Sequence, residues 1–321
     1  MIMNDMQKMI NRFFEWMGVK NYSRETIVSW RLLLKYFNAW CEERDVIRPQ
    51  DVTRPLLERY QRFLFHYINK KGQRLNVNTR HNRLIPVRAF FKWLAKNNYI
   101  LFNPAGELEL PRLEYRLPRN VLTRQEAETI LNGIDLTTPM GLRDRAMLET
   151  LYSTGMRRTE LCNLKLNDIN MDKGIVMICE GKYKKDRVIP IGERAVLWIE
   201  KYLHDLRPLL CWTHETDRLF LTRHGKPMRP KHLTRIAHGH VKNAEIGKTG
   251  SNHIWRHSCA TLMLENGADI RYVQEQLGHA SIDTTKIYTR IAIVKLKEVH
   301  TQTHPASNIL PQKPEEITTY Q

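Results

Sequence analysis

Cysteine, long apolar runs and acidic side chains are all scarce in this 321-residue sequence. The five cysteines are odd in number, widely spaced and without metal-ligand spacing, which favours a reducing cytoplasm over a disulfide-bonded context. No run of about twenty uncharged apolar residues occurs, and the N-terminus lacks a signal-peptide pattern, so we expect no membrane insertion. Lysine and arginine total 51 against 34 aspartates and glutamates, a formal net charge of +17, so the expected partner is a polyanion such as nucleic acid.

The sequence also lacks the motifs of nucleotide-dependent and metal-dependent phosphate chemistry. It contains no glycine-rich phosphate-binding loop and no evident carboxylate cluster for paired magnesium ions. His238-Gly239-His240 suggests zinc, but no third ligand stands nearby, which favours a structural or DNA-facing role. We therefore expect no cofactor and no bound metal.

The pattern of apolar residues predicts a mainly α-helical protein with a small β-sheet. In residues 1–110, apolar positions recur at spacings of three and four, without convincing strand-like alternation, so we expect an all-helical basic domain. Its predicted helices are 6–18, one that begins at Ser23, one capped by Asp51 or Thr53, and 78–96. Pro86 lies inside the last of these and predicts a kink.

A second, larger domain follows a proline-containing segment. Pro104, Pro111 and Pro118 predict an extended linker over residues 111–122. Residues 123–300, which begin with the capping-box spacing of Thr123 and Glu126, are expected to form a mixed α+β domain, and residues 301–321 a flexible tail. Its predicted strands are a hairpin of 174–179 and 188–191 and a single strand 219–222. Its predicted helices are 142–152, a short helix ending at 164, 193–206, 231–243, 253–266, 270–277 and 281–287.

Four short segments of this second domain carry side chains suited to phosphodiester chemistry. Taken singly, each has an ordinary explanation: a helix-terminus ion pair, a solvated basic turn, a surface histidine beside an arginine, or an amphipathic tyrosine at a helix end. Taken in order, they supply Arg, Lys, His, Arg, His and Tyr. The segments are Gly155-x-Arg157-x-x-Glu160-Leu161, Gly181-Lys182-x-x-Lys185-x-Arg187, His253-x-x-Arg256-His257, and Leu277-Gly278-His279 with Thr284-Thr285-x-x-Tyr288-Thr289.

In these motifs and their order, the chain resembles the tyrosine recombinases, and it is most similar in form to their compact Xer-type members. The resemblance spans the second domain and extends more weakly through the N-terminal helices, which look like the family's core-binding domain. Trp255 and Asn252 depart from the smaller apolar residue and the Pro or Thr usual around the histidine, but neither removes a catalytic group. Lys184 beside Lys185 leaves two candidates for the acid lysine, and spacing favours Lys185.

The resemblance implies an enzyme that cleaves and rejoins DNA through a 3′-phosphotyrosine link at Tyr288. Arg157 and Arg256 would clamp the phosphate, and Glu160 would orient Arg157. The family's pattern also implies that four protomers, alone or with a related recombinase, act on paired inverted-repeat sites in double-stranded DNA. The remaining implied catalytic residues are Lys185 as the acid, His253 and His279. The residues predicted to contact DNA are Arg80, Arg83, Arg88, Lys182, Lys184 and Arg187.

Three other classes of function stay open at the level of sequence. A non-enzymatic DNA-binding regulator would share the basic charge and the helical first domain, but it leaves the segment from His253 to Tyr288 unexplained. A type IB-like DNA topoisomerase shares the chemistry, although its usual form is larger. A metal-dependent nuclease predicts clustered carboxylates, which the sequence does not offer.

Overall fold

The computed structural model describes residues 4–113, 120–179, 186–211 and 216–278, and these fall into two compact units, Met1–Tyr115 and Arg116–Gln321. Both units are built mainly from helices, as predicted. The predicted helix 281–287 and the predicted tail 301–321 lie outside the described residues. No helix in the described part of the chain has the length and apolar character needed to cross a membrane.

The first unit contains four long helices, which confirm the predicted ones to within two residues at their starts. Side chains of Asn4, Ser23 and Asn76 accept hydrogen bonds from backbone amides at the helix starts, and this satisfies donors that the helix itself leaves unpaired. Thr53 occupies the same position before the third helix without such a bond. The helices are α1 (Asp5–Val19), α2 (Arg24–Glu42), α3 (Arg54–His66) and α4 (Val77–Lys96).

An aromatic cluster forms the core of the first unit. Phe13 of α1 contacts Phe90 and Trp93 of α4, with ring centroids 5.6 Å and 5.4 Å away. Phe37 of α2 packs against Tyr60 of α3 at 5.0 Å. These rings lie on the apolar stripes seen in the sequence, so burial of the stripes accounts for the packing of all four helices. Pro86 is buried within an uninterrupted α4, and the kink stays a prediction.

The second unit contains eight helices and three strands among its described residues. The helices are α5 (Arg124–Asn132), α6 (Pro139–Thr154), α7 (Arg158–Asn163), α8 (Glu193–Asp205), α9 (Arg207–Leu210), α10 (Pro230–Asn243), α11 (Asn252–Glu265) and α12 (Ile270–Leu277). The strands are β1 (Ile169–Asn170), β2 (Ile175–Ile178) and β3 (Arg187–Pro190). The three strands form an antiparallel sheet in the order β1-β2-β3, which confirms the predicted hairpin. Its register pairs Ile178 with Arg187.

Three features of the second unit differ from the sequence expectation. Residues 219–222 are not a strand, because Leu221 forms an isolated bridge with Pro227 rather than part of a continuous ladder. Leu219, Phe220 and Leu221 are nevertheless buried in the core. The two-residue β1 and the four-residue α9 are too short to show in a periodic pattern. Leu122, predicted as the last linker residue, is a fully buried core residue whose N–H donates to Ser258 Oγ at 2.7 Å.

Candidate active site

Arg157 stands where α6 turns sharply into α7. Gly155 ends α6 in the left-handed conformation, with φ of 60°, as glycine does most readily. A Cβ at Gly155 would lie 2.8 Å from Leu277 Cδ2 and 3.1 Å from Cys259 Sγ, so a larger residue would force these side chains to shift. The turn therefore brings the start of α7 against the end of α12.

Glu160 holds Arg157 at the start of α7. The Arg157 N–H donates to Glu160 Oε2 at 2.8 Å, and Arg157 Nη1 donates to Glu160 Oε1 at 2.8 Å. Only 4% of the Glu160 side chain is exposed. Burial raises the pKa of Glu160, but hydrogen bonds and charge from Arg187 and Arg157 outweigh it, so the pKa is lowered and the carboxylate stays ionised.

Arg187, which the sequence predicts as a DNA contact, is a second partner of the same carboxylate. Its Nη1 and Nη2 donate to Glu160 Oε1 and Oε2 at 3.0 Å and 2.8 Å. The side chain is only 13% exposed, and it belongs to the first residue of β3, opposite Ile178 at the end of β2. Arg187 is therefore connected to Arg157 through the Glu160 carboxylate.

Arg256 meets Arg157 at the end of α12. The buried Arg256 side chain projects from α11, and its Nη1 donates to the Gly155 carbonyl at 2.7 Å while its Nη2 donates to the Leu277 carbonyl at 2.8 Å. Arg157 Nη2 donates to the next carbonyl, that of Gly278, at 2.9 Å. Two arginines that lie 99 positions apart in the sequence thus converge on one helix end. We call Arg157, Glu160, Arg187 and Arg256 the arginine clamp.

Gly278 ends α12, and its backbone lies against the arginine clamp. It is left-handed, with φ of 63°, and a Cβ there would lie 2.7 Å from Arg187 Nε. The sequence indicated Gly278 as a helix stop, but not that a guanidinium lies against its backbone. Glycine is required here for both reasons.

His253 lies in the first turn of α11, three residues before Arg256, and its side chain is partly exposed. Its ring centroid is 6.4 Å from that of the half-buried His257. Burial, followed by the charges of Arg158 and Arg256, lowers the pKa of His253. Burial, followed by the charges of His253 and Arg256, lowers the pKa of His257 to about 4. Both imidazoles are therefore neutral at pH 7 and able to accept a proton.

Five of the predicted site residues lie outside the described residues. They are Lys182, Lys184, Lys185, His279 and Tyr288. The strands β2 and β3, which flank the lysines, are described, and so is Gly278, which immediately precedes His279. Arg157, Glu160 and Arg256 are brought together, whereas His253 shares only the helix of Arg256.

The arginines predicted to contact DNA in the first unit project from α4 and are half-buried. The Arg80 guanidinium lies 5.0 Å from the Phe65 ring centroid, and that of Arg83 lies 5.0 Å from the Tyr36 ring centroid. Such stacking orients a guanidinium while leaving its edges able to donate hydrogen bonds. Arg88 lines a cavity of about 440 Å³ beside α4, together with Lys92.

His238 and His240 have separate hydrogen-bond partners. His240 Nε2 lies 3.1 Å from Asp144 Oδ2, and His238 Nδ1 lies 3.0 Å from the Gly250 carbonyl oxygen. Within residues 4–113, 120–179, 186–211 and 216–278, no three metal-ligating side chains are grouped as a metal site would require. The pair therefore joins α10 to its neighbours.

Sequence reasoning missed two contributions to this site. Backbone carbonyls of Gly155, Leu277 and Gly278 accept from the arginines, and a sequence gives no direct sign of such acceptors. Gln276 is buried and donates to the carbonyls of Thr154 and Pro190 at 3.2 Å and 3.3 Å, so it ties α12 to α6 and β3. Its place on the buried face of α12, next to Leu277, was the available signal.

Comparison with known proteins identifies the class to which this fold and clamp belong. Residues 6–108 match the family model described as the phage integrase SAM-like domain, and residues 120–293 match the model of the phage integrase family. The chain therefore belongs to the phage integrase family, and it is a tyrosine recombinase, an enzyme of site-specific DNA recombination. This membership disfavours the regulator and topoisomerase alternatives.

The named relatives are Xer recombinases. The chain is 46% identical to tyrosine recombinase XerC 2 of Ralstonia nicotianae over 91% of its own length and 84% of that protein. It is 38% identical to XerD of Pseudomonas putida, over 89% and 93% of the two chains. The crystal structure of the XerH recombinase bound to its palindromic difH substrate has the same fold, with a TM-score of 0.71 and 24% identity over 88% of this chain and 81% of that one.

Proposed function

We propose that this recombinase cleaves and rejoins DNA through a 3′-phosphotyrosine intermediate at Tyr288, with the phosphate held by Arg157 and Arg256. The observation that carries the proposal is the convergence of these two guanidinium groups on the carbonyls of Leu277 and Gly278. The chain continues from that point to His279 and, ten residues after Gly278, to Tyr288. The segment that carries the nucleophile therefore directly follows, in the sequence, the helix end that the two arginines contact.

The clamp suits a phosphodiester because planar, multidentate cations match its nonbridging oxygens. Arg157 is 23% exposed, so its guanidinium is accessible to a ligand while Glu160 fixes its direction. Arg256 is held more deeply, between carbonyls of α6 and α12. Loss of one such preorganised donor typically lowers the rate about 10²- to 10³-fold.

The proposed cleavage step replaces one phosphorus–oxygen bond with another and moves two protons. The Tyr288 oxygen attacks phosphorus and gives its proton to a base, for which His253 is the candidate. The bond from phosphorus to the 5′ oxygen breaks, and Lys185 protonates the departing 5′ oxygen, which leaves as a hydroxyl. His279 donates a further hydrogen bond to the phosphate. In the reverse direction, a 5′ hydroxyl attacks the phosphotyrosine and reseals a strand, so no external energy source is consumed.

The proposed assembly is a tetramer, or a pairing with a related recombinase, on two double-stranded DNA sites with inverted repeats. The XerH relative was captured on its own palindromic substrate, which supports this arrangement. In the first unit, Arg80, Arg83 and Arg88 are the proposed backbone contacts, with Lys182 and Lys184 in the second. Residues 291–300 are proposed to dock on a neighbouring protomer. The odd number and wide spacing of the five cysteines support action in the reducing cytoplasm.

A covalent trapping experiment tests the function. Sequences that the protein binds are first selected from a random pool, and the selected site is built into a nicked duplex from which the cleaved fragment is lost. We expect a denaturant-resistant protein–DNA adduct that forms in EDTA. Tyr288→Phe should bind this duplex without forming the adduct.

Tyr272→Phe is the matched control, because Tyr272 is 69% exposed on α12, close to the clamp in the sequence. This variant should form the covalent adduct to the same extent as the unaltered protein. An adduct with Tyr288→Phe would assign the nucleophile elsewhere, and a requirement for magnesium would favour a metal-dependent nuclease. Binding should also weaken steeply with salt, because each neutralised phosphate releases counterions.

A further inference from the structure

Arg187 shares the Glu160 carboxylate with Arg157 in a closed arrangement of four hydrogen bonds. Glu160 Oε1 accepts from Nη1 of both arginines, and Oε2 accepts from the Arg157 N–H and from Arg187 Nη2, all between 2.8 Å and 3.0 Å. Each carboxylate oxygen thus has two donors, one from each arginine. A buried carboxylate held in this way has a single orientation.

The same guanidinium also lies against the backbone of Gly278. The position of a Cβ on that glycine would be 2.7 Å from Arg187 Nε and 2.8 Å from its Cζ. The Gly278 carbonyl in turn accepts from Arg157 Nη2. Arg187 therefore adjoins both groups that hold the Arg157 side chain, although it comes from a different element, β3.

We propose that Arg187 is a positioning residue for the phosphate clamp, which acts on the reaction by fixing Glu160 and, through it, Arg157. This inference rests on the proposed role of Arg157. Arg187 is poorly placed to bind DNA itself, because both of its Nη atoms are used on Glu160 and its side chain is 13% exposed. Its Nε is buried without a hydrogen-bond partner among the described residues, so the bidentate pair with Glu160 dominates its orientation.

The test compares Arg187→Gln and Arg187→Lys with the unaltered protein on the nicked duplex, with DNA binding and single-turnover cleavage measured separately. We expect near-normal binding and a loss of cleavage of about 10²-fold for Arg187→Gln, because displacement of a catalytic group by about 1 Å has an effect of that size. Arg187→Lys should recover part of the rate. Glu160→Gln combined with Arg187→Gln should be little worse than either alone, since both changes act on one arrangement.

Two modified substrates separate the routes by which Arg187 could act. A methylphosphonate at the cleaved position replaces one charged nonbridging oxygen with a methyl group, so a misplaced Arg157 should matter less and the defect of Arg187→Gln should shrink. A sulfur at the bridging 5′ position makes a leaving group that needs no acid. We expect that this second substrate leaves the defect unchanged.

Arg194→Gln is the matched control, because Arg194 also pairs with a buried carboxylate, Glu149, at 2.9 Å, but it belongs to α8 and the α5–α6 side of the unit. It should not reproduce the substrate-dependent pattern. The inference is overturned by weak DNA binding with normal cleavage of bound DNA, by rescue with the bridging sulfur, or by an unaffected Arg187→Gln. Failure of the unaltered protein to form any adduct would instead overturn the proposed function.

Discussion

Arg157 and Arg256 donate to consecutive backbone carbonyls, those of Gly278 and Leu277, at 2.9 Å and 2.8 Å. The end of α12 therefore holds two cations side by side, and its carbonyl oxygens offset the repulsion between them. Carbonyl oxygens at a helix C-terminus carry partial negative charge and suit this purpose. The placement of the clamp thus depends on how α12 ends.

Gly278→Ala should disrupt the clamp more than a comparable change elsewhere. The left-handed backbone costs about 1–2 kcal/mol for any residue with a Cβ. The new methyl group would additionally meet Arg187 at 2.7 Å. Gly247→Ala is the control, because Gly247 has φ of 69° and no atom within 4 Å of the added Cβ. Both variants should have a lowered unfolding temperature, whereas the yield of covalent adduct should fall only for Gly278→Ala. Equal adduct yields from the two variants would contradict the expectation.

The pH dependence of cleavage should reflect the lowered pKa of His253. A base must be neutral, so the rate should fall as pH drops through a pKa that lies below the usual value of about 6.5. Arg158→Gln removes one of the charges that lower this pKa and should move the acid limb to higher pH. Lys201→Gln serves as the control, because the Lys201 side chain is exposed on α8. A pH–rate profile that is the same for all three proteins would remove His253 as the base.

Stability should decrease on acidification because of His257. Its folded pKa of about 4 lies below the unfolded value of about 6.5, so the unfolded chain binds more protons between these values. The free energy of unfolding should therefore fall by about 2 kcal/mol as pH drops from 6.5 to 4. Urea unfolding of His257→Gln should show a shallower pH dependence, and His204→Gln, whose side chain is 91% exposed, should retain the original one. Parallel curves for all three proteins would refute this assignment.

The hydroxyl of Ser258 should stabilise the second unit measurably. It accepts the buried Leu122 N–H at 2.7 Å, so Ser258→Ala leaves that donor unpaired, at a cost of about 1–3 kcal/mol. Thr261, one turn further along α11, is also buried, but its hydroxyl has no hydrogen-bond partner within the described ranges. Thr261→Val should therefore be neutral or stabilising. Chemical denaturation measures both, and a larger loss for the valine variant would contradict the assignment.

The sequence was most informative where one force decided the structure. The apolar stripes of α1 to α4 and the capping box of Thr123 and Glu126 specify local structure by themselves, and both were predicted correctly. Residues 219–222 were not, because a short apolar run is equally compatible with a strand and with an irregular buried segment. In the structure, this segment is irregular and is buried in the core of the second unit.

The candidate site was predictable in its residue types but not in its connections. Spacing and motif order singled out Arg157, Glu160 and Arg256, since these could be compared with a known family pattern. The sequence predicts Arg187 as a DNA contact because it follows a run of lysines, and nothing in one sequence indicates that it pairs with a carboxylate 27 positions earlier. Such long-range pairing depends on the register of β2 and β3.

The charges of the clamp do not cancel. Three guanidinium groups, those of Arg157, Arg187 and Arg256, surround the single carboxylate of Glu160, which leaves two positive charges. A phosphodiester brings one negative charge, and the five-coordinate phosphorus formed during attack brings two. The net charge of these four described clamp residues therefore matches the five-coordinate species better than the intact strand, and this favours the five-coordinate species.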